Sequence, residues 1–116
     1  MDDCLFCKII NGDIPSEKIY EDEHVIAFYD IHPAAPVHVL VVPRRHFRDL
    51  PDMMISDTSG LLAGAVLSAV TAIARQLGVS DDGFRLINNC GVNGGQTIPH
   101  VHFHLLAGRK MDEKLL

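Results

Sequence analysis

Three imidazoles alternate with two apolar side chains in His100-Val101-His102-Phe103-His104, and no other stretch constrains the chain as strongly. In an extended strand, successive side chains point to opposite faces. The three histidines would then share one face at intervals of roughly 6.7 Å, two residues' rise. Val101 and Phe103 would enter a core. Imidazoles crowded together in an interior are costly unless each finds a partner. The pattern therefore predicts a strand with one face in the core and the other on a cleft that uses its histidines. An imidazole near neutral pH can be nucleophile, proton carrier or metal ligand.

The 116 residues amount to a single domain, residues 1–116, long enough to bury about two-thirds of the unfolded surface. Hydrophobic residues make up 47% and charged residues 22%, without repeats or low-complexity tracts, as in globular proteins. A net charge of -5 argues against a nucleic-acid binder; the one basic cluster, Arg44, Arg45 and Arg48, reads as a solvated turn. Met1-Asp2-Asp3-Cys4 lacks the cationic start and apolar run of a secretory signal. No apolar stretch is long enough to span a bilayer, so no membrane partner is expected. Three cysteines, an odd count, suit a reducing compartment. The expectation is a soluble, cytoplasmic protein.

Turn signals divide the rest of the chain. Residues 4–10 read as a short helical segment stopped by Asn11-Gly12-Asp13. Residues 18–20 and 24–29 read as strands about the turn Glu21-Asp22-Glu23. Pro33 and Pro36 precede a β-branched strand over residues 37–42, closed by Pro43. A long helix is predicted from about Thr58 to Leu77, ended by Gly78, with Leu62, Val66, Ala69, Val70, Ile73 and Leu77 as its apolar stripe. A second stripe, Gly60, Gly64, Ser68 and Ala72, is small throughout. It admits close approach of another backbone, either from within the chain or from a second copy. Residues 84–89 read as a strand, 90–96 as a loop, and 98–106 as the histidine strand. This order predicts an α+β fold with an antiparallel sheet. The long helix would cover Val101, Phe103 and Leu105, leaving the histidines on the reverse face, open to a ligand.

His102 is the candidate nucleophile, since an imidazole with a partner on its other nitrogen can attack phosphorus. Its neighbours two residues away can tune it and carry protons. The competing possibility is a metal site made from all three histidines, although such sites usually recruit a carboxylate or cysteine. Gly91, Gly94 and Gly95 precede the triad, where backbone N–H groups can converge on an anion. Asn89, Gln96 and Thr97 add neutral polar groups. Asp30 ends an alternating strand, either as a turn residue or as an acceptor for a ribose diol. His38 is either a boundary residue or the partner that orients the triad. Cys4-Leu5-Phe6-Cys7 has the spacing of half a zinc site, with His46 and His100 as candidates for the other half. A buried thiol pair or a redox motif are the alternatives, and Cys90 has no evident partner.

Together these residues resemble the histidine triad (HIT) family. His100-Val-His102-Phe-His104-Leu-Leu matches its His-x-His-x-His-x-x signature. The likeness runs through Phe6-Cys7-Lys8-Ile9-Ile10, Ile14-Pro15, Ala27-Phe28-Tyr29-Asp30-Ile31, Pro36-Val37-His38, Val42-Pro43-Arg44-Arg45-His46, Asn89 and Gly94-Gly95-Gln96. Leu105-Leu106-Ala107-Gly108-Arg109 resembles the Hint branch of purine nucleoside phosphoramidases. The resemblance implies an α+β, HIT-like fold: a five-stranded antiparallel sheet, one long helix, a short N-terminal helix, and a sheet extended in a homodimer. It implies hydrolysis of purine nucleoside 5′-phosphoramidates, adenosine 5′-monophosphoramide among them. The resemblance further implies that a nucleotidyl intermediate would form on His102 and that a nucleoside monophosphate would be released. His104 and His38 would contact phosphate and relay protons. Asn89, Gly95, Gln96 and Thr97 would hold phosphate or leaving group. Phe6, Ile9, Phe28, Ile31 and Leu40 would enclose the base, and Asp30 would take the ribose hydroxyls. A structural zinc would sit on Cys4, Cys7, His46 and His100, with no cofactor needed for the chemistry. The tail from Lys110 to Leu116 lacks the Trp found in some members, which bears on leaving-group choice. Two rivals keep the pocket but change its use: a nucleotide-responsive interaction module with incidental turnover, and a dinucleoside polyphosphate hydrolase.

Overall fold

The computed structural model describes residues 3–114. In chain order its elements are α1 (Leu5–Ile10), β1 (Lys18–Glu21), β2 (Val25–Tyr29), β3 (Val37–Pro43), α2 (Leu50–Ser56), α3 (Leu61–Gln76), β4 (Arg85–Ile87) and β5 (Phe103–Ala107). The strands form one five-stranded sheet in the order β1-β2-β3-β5-β4, with every pair antiparallel.

Alternation along β2 and β3 fills two cores, one on each side of the sheet. Val25, Ala27, Val39 and Val41 join Phe103 and Leu105 beneath Leu62, Val66, Ala69, Val70 and Ile73 of α3. On the reverse side, Ile26, Phe28, Leu40 and Val42 pack against Phe6 and Ile9 of α1. Each fully buried aliphatic or Phe side chain contributes about 1.5–3 kcal/mol. Both faces of the central strands are therefore dry, which is why β3 reads as a near-continuous apolar run.

Helix α3 starts at Leu61, later than the residue-58 start, because the preceding turn takes up the cap. Asp57 Oδ2 accepts the Leu62 N–H at 2.8 Å and Ser59 Oγ accepts the Leu61 N–H at 3.2 Å. Its C-terminal stop is as expected: Leu77 is the cap and Gly78 follows at φ 72°. The short helix α2 is absent from the sequence reading. Its signals were local: Asp49 accepts the Asp52 N–H as N-cap, and Pro51 sits in the first turn.

The histidine strand is shorter than residues 98–106. Pro99 has no N–H to give a ladder, the His100 N–H turns back to Ile98 O at 2.8 Å, and the Val101 N–H goes to Phe47 O at 2.8 Å. Residues 98–102 are therefore a bend tied to the segment before α2, and pairing begins at Phe103. The expected sidedness survives, with Val101, Phe103 and Leu105 in the α3 core. The small-residue stripe of α3 is not used within the chain. Gly64, Ser68 and Ala72 are exposed, and a Cβ on Gly64 would meet no heavy atom within 4 Å. Among the described residues, no helix is long and apolar enough to cross a membrane.

Candidate functional site

The bend before β5 and the register of β3 against β5 bring four histidines to one face of the sheet. Leu40 pairs with His104 and His38 with Leu106, so His38 and His104 lie diagonally across the two strands. Their rings meet: His38 Nε2 lies 2.9 Å from His104 Nδ1. The Ala34 N–H donates to His38 Nδ1 at 3.0 Å, so that nitrogen holds a lone pair and the proton of a neutral ring sits on Nε2. His38 therefore donates to His104 Nδ1, and His104 carries its own proton on Nε2. One backbone amide sets the tautomer of two rings.

His102 is set independently and in the opposite sense. Its Nδ1–H donates to the carbonyl oxygen of His100 at 2.8 Å, which leaves Nε2 with an in-plane lone pair. The ring lies 5.2 Å from that of His104 and meets the edge of Phe6 at 4.9 Å. Asn88, which the sequence reading passed over in favour of Asn89, donates its Nδ2–H to His102 O at 2.9 Å and pins the backbone there. Burial is the first cause that pushes both rings below their ordinary value, reinforced at His104 by His102 and His38 and opposed by Asp30 at both. Neutral imidazoles, with a lone pair available, are thus favoured at both positions. The face is less open than expected: His100 is fully buried and His102 only 5% exposed.

Beside the histidines, a cleft of about 300 Å³ is walled by Phe6, Ile9, Phe28 and Leu40, with Asp30 and Ile31 at its mouth. Asp30 Oδ1 accepts the His32 N–H at 2.7 Å, and Oδ2 lies 3.5 Å from His38 Nε2. The glycine loop is held by its own polar side chains. Asn89 Nδ2 donates to Gly94 O at 2.7 Å, while Gln96 accepts the Gly91 N–H and donates to Arg48 O and Ile98 O. Asn89 and Gln96 thus use these groups on the loop. Gly94 and Gly95 are required there: a Cβ on Gly94 would lie 2.3 Å from Cys90 O, and Gly95 has φ 78°. Thr97 is exposed beside them.

Cys4, Cys7, His46 and His100 also converge, their ligand atoms within 4.8 Å of one another. Cys4 Sγ and Cys7 Sγ lie 3.3 Å and 3.5 Å from His100 Nδ1, and Cys7 Sγ lies 3.3 Å from His46 Nδ1. Tetrahedral zinc with ordinary Zn–S and Zn–N bonds needs S···N edges of about 3.5 Å, so the donor set fits. His100 is oriented for it, with Nε2–H donated to Pro43 O at 2.9 Å and Nδ1 left for a metal. Burial pushes His100 down to about 4 and, together with Cys4, pushes the Cys7 thiol up to about 11. A cation would remove the Cys7 proton. Asp30, His38 and His104 also cluster. They fit a metal poorly, because His38 Nδ1 already accepts an N–H and a metal on Nε2 would demand an anionic ring.

Comparison with known proteins gives the family and the fold. The HIT domain matches residues 11–111. A purine nucleoside phosphoramidase of Escherichia coli is 39% identical over 114 residues, 98% of this chain and 94% of that protein. A histidine triad protein from Clostridium difficile superposes with a TM-score of 0.93 at 46% identity, covering 98% of this chain and 97% of its own. A HIT family hydrolase from Clostridium thermocellum gives 0.94 at 45% identity, covering 100% and 99%. Sheet order, histidine run and near full-length likeness thus converge, and the chain belongs to the histidine triad family.

Proposed function

We propose that the protein hydrolyses purine nucleoside 5′-phosphoramidates, with His102 as nucleophile. The observation that carries the proposal is the His102 Nδ1–H bond to His100 O, which leaves Nε2 free to attack. The lone pair of Nε2 forms a bond to the α-phosphorus as the P–N bond of the substrate breaks. The amine leaves with that electron pair and a proton drawn from solvent. His102 keeps its Nδ1 proton throughout, so the positive charge of the nucleotidyl-imidazole rests against the His100 carbonyl. A water then attacks phosphorus and gives up a proton to solvent, replacing the one taken by the amine; the P–Nε2 bond returns its pair to a neutral ring, and a nucleoside monophosphate departs.

His104 supports the chemistry as a fixed donor, its Nε2–H held outward by His38 and the Ala34 amide. A donor preset toward developing phosphoryl charge needs no reorganisation in the transition state. Gly95, Thr97 and the loop kept in shape by Asn89 and Gln96 enclose the phosphate or the leaving group. Phe6, Ile9, Phe28, Ile31 and Leu40 form the walls for a base, and Asp30 takes the ribose hydroxyls. The Cys4, Cys7, His46 and His100 set would hold zinc in a closed shell, which supplies structural cross-linking of α1 to the bend before β5.

A homodimer accompanies this function in our proposal. Strand β4 is an edge of the sheet. The exposed small stripe of α3, flanked by Leu61 at 56% and Leu67 at 54% exposure, offers a face of matching character.

The test is steady-state turnover of adenosine 5′-phosphoramidate. The wild type should turn over well above the uncatalysed background. His102→Ala should lose about 10⁴-fold in kcat or more while binding AMP within about threefold of the wild type. Wild-type rates at background with intact AMP binding would instead favour a nucleotide-responsive module. Preferential cleavage of a dinucleoside polyphosphate would move the substrate class.

A further inference from the structure

Ser16 lies in the connection between α1 and β1, two residues past Ile14, and lines the same cleft as Phe6, Phe28 and Leu40. Its backbone is anchored next door, where Glu17 O accepts the Tyr29 N–H at 3.0 Å. Its Oγ is buried and has no hydrogen-bond partner; among the described residues it is the one buried side-chain nitrogen or oxygen in that condition. Natural folds pair such groups almost without exception, because a stranded hydroxyl loses its water and gains nothing. An apolar wall built only for packing would be served better by alanine.

We propose that Ser16 is a specificity residue of this cleft, whose hydroxyl pairs with a polar group on the edge of a bound purine. The inference rests on the assignment of the cleft to a nucleotide base. In this proposal the hydroxyl turns about χ1, between staggered wells, to meet the ligand. A hydroxyl both donates and accepts. It can therefore accept from the amino group of an adenine edge or donate to the carbonyl of a guanine edge, so the proposal allows either purine. A purine with hydrogen in place of that exocyclic group lacks the partner assigned to Ser16 and should bind more weakly. Asp30 sits at the mouth beside His38, with one oxygen already on the His32 N–H.

The test is the Ser16→Ala variant, with AMP and the 5′-monophosphate of unsubstituted purine riboside as probes, by calorimetric titration and by thermal melting. Wild-type protein should bind AMP about tenfold more tightly than the bare-purine nucleotide, the worth of one neutral hydrogen bond. In Ser16→Ala that ratio should fall to about one through weakened AMP binding alone. Unliganded Ser16→Ala should melt higher than the wild type by about 4 °C, since the stranded hydroxyl is gone. Ser16→Thr, which keeps the hydroxyl, should retain the preference for AMP. An unchanged ratio in Ser16→Ala, or a lower melting temperature, would overturn the proposal. Because these readouts need no turnover, they stand apart from the phosphoramidase assay. If neither nucleotide binds the wild type, both the cleft assignment and this inference fall together. If binding occurs without turnover, only the catalytic assignment does.

Discussion

His102 donates its Nδ1–H to the carbonyl oxygen of His100 across 2.8 Å, while the ring of His100 is the converging point of two cysteines and a second histidine. The residue that fixes the tautomer of the proposed nucleophile is therefore also a proposed metal ligand. Phe6 ties the two regions a second time. It stands on α1, whose N-cap is Cys4, and its ring packs on His100 at 5.9 Å and His102 at 4.9 Å.

Metal removal should accordingly affect both stability and rate. A site saturated about 1,000-fold above its Kd stabilises the fold by about 4 kcal/mol. Chelated protein, or Cys7→Ser, should melt well below the zinc-loaded wild type. It should also lose about tenfold in kcat as His102 and Phe6 loosen. Metal analysis should give one zinc per chain. A protein purified without metal that melts and turns over like the zinc-loaded form would contradict this role.

The Ala34–His38–His104 chain makes a separate prediction. His38→Leu removes the donor to His104 Nδ1, frees the His104 tautomer, and should lower kcat by about 10²-fold. His38→Gln places an amide N–H where Nε2–H was, so it should recover most of the loss. Equal losses in the two variants, read as kcat with KM measured alongside, would show that His38 acts otherwise than by this hydrogen bond.

His104 also makes stability pH-dependent. Burial first, then His102 and His38, hold it below its ordinary value of 6.5 in the folded state. The unfolded chain therefore binds more protons than the folded one once pH drops beneath that value. The stabilisation is complete above about pH 6.5 and is lost as pH falls through the lowered folded value. Melting temperatures should hold level above about pH 7 and decline below it, less steeply in His104→Asn. A slope identical in the two proteins would remove His104 from the account.

Association is tested at Gly64. The position is helical, exposed and free of neighbours, so Gly64→Glu should fold at least as well as the wild type. A charge there should convert a dimeric wild type to monomer by light scattering. A wild type that is already monomeric at working concentrations would end the dimer proposal.

Much of this was legible in the residues because period and burial agree. Val25 to Phe28 and Val39 to Val42 are buried on both faces, and their apolar runs say so. The α3 stripe Leu62, Val66, Ala69, Val70 and Ile73 is the core stripe observed. The Cys-x-x-Cys pair and the distant His46 and His100 do converge. What local pattern could not give was the path of backbone hydrogen bonds. The Val101 N–H leaves the sheet for Phe47 O, which turns the first part of the histidine run into a bend. Helix α2 was missed because its seven residues hold a single buried side chain, Met53, and so carry no periodic signal. The protons on His38, His102 and His104 depend on Ala34 and on the His100 carbonyl, backbone groups that leave no trace in side-chain identity.

The most direct measurement is to trap the covalent step. Protein mixed with adenosine 5′-phosphoramidate, quenched within a single turnover at alkaline pH and digested, should yield a peptide carrying one nucleotidyl group on the His102 imidazole, with none in His102→Ala. Turnover without any adduct, or an adduct on His104 or elsewhere, would contradict the assignment of His102 as nucleophile.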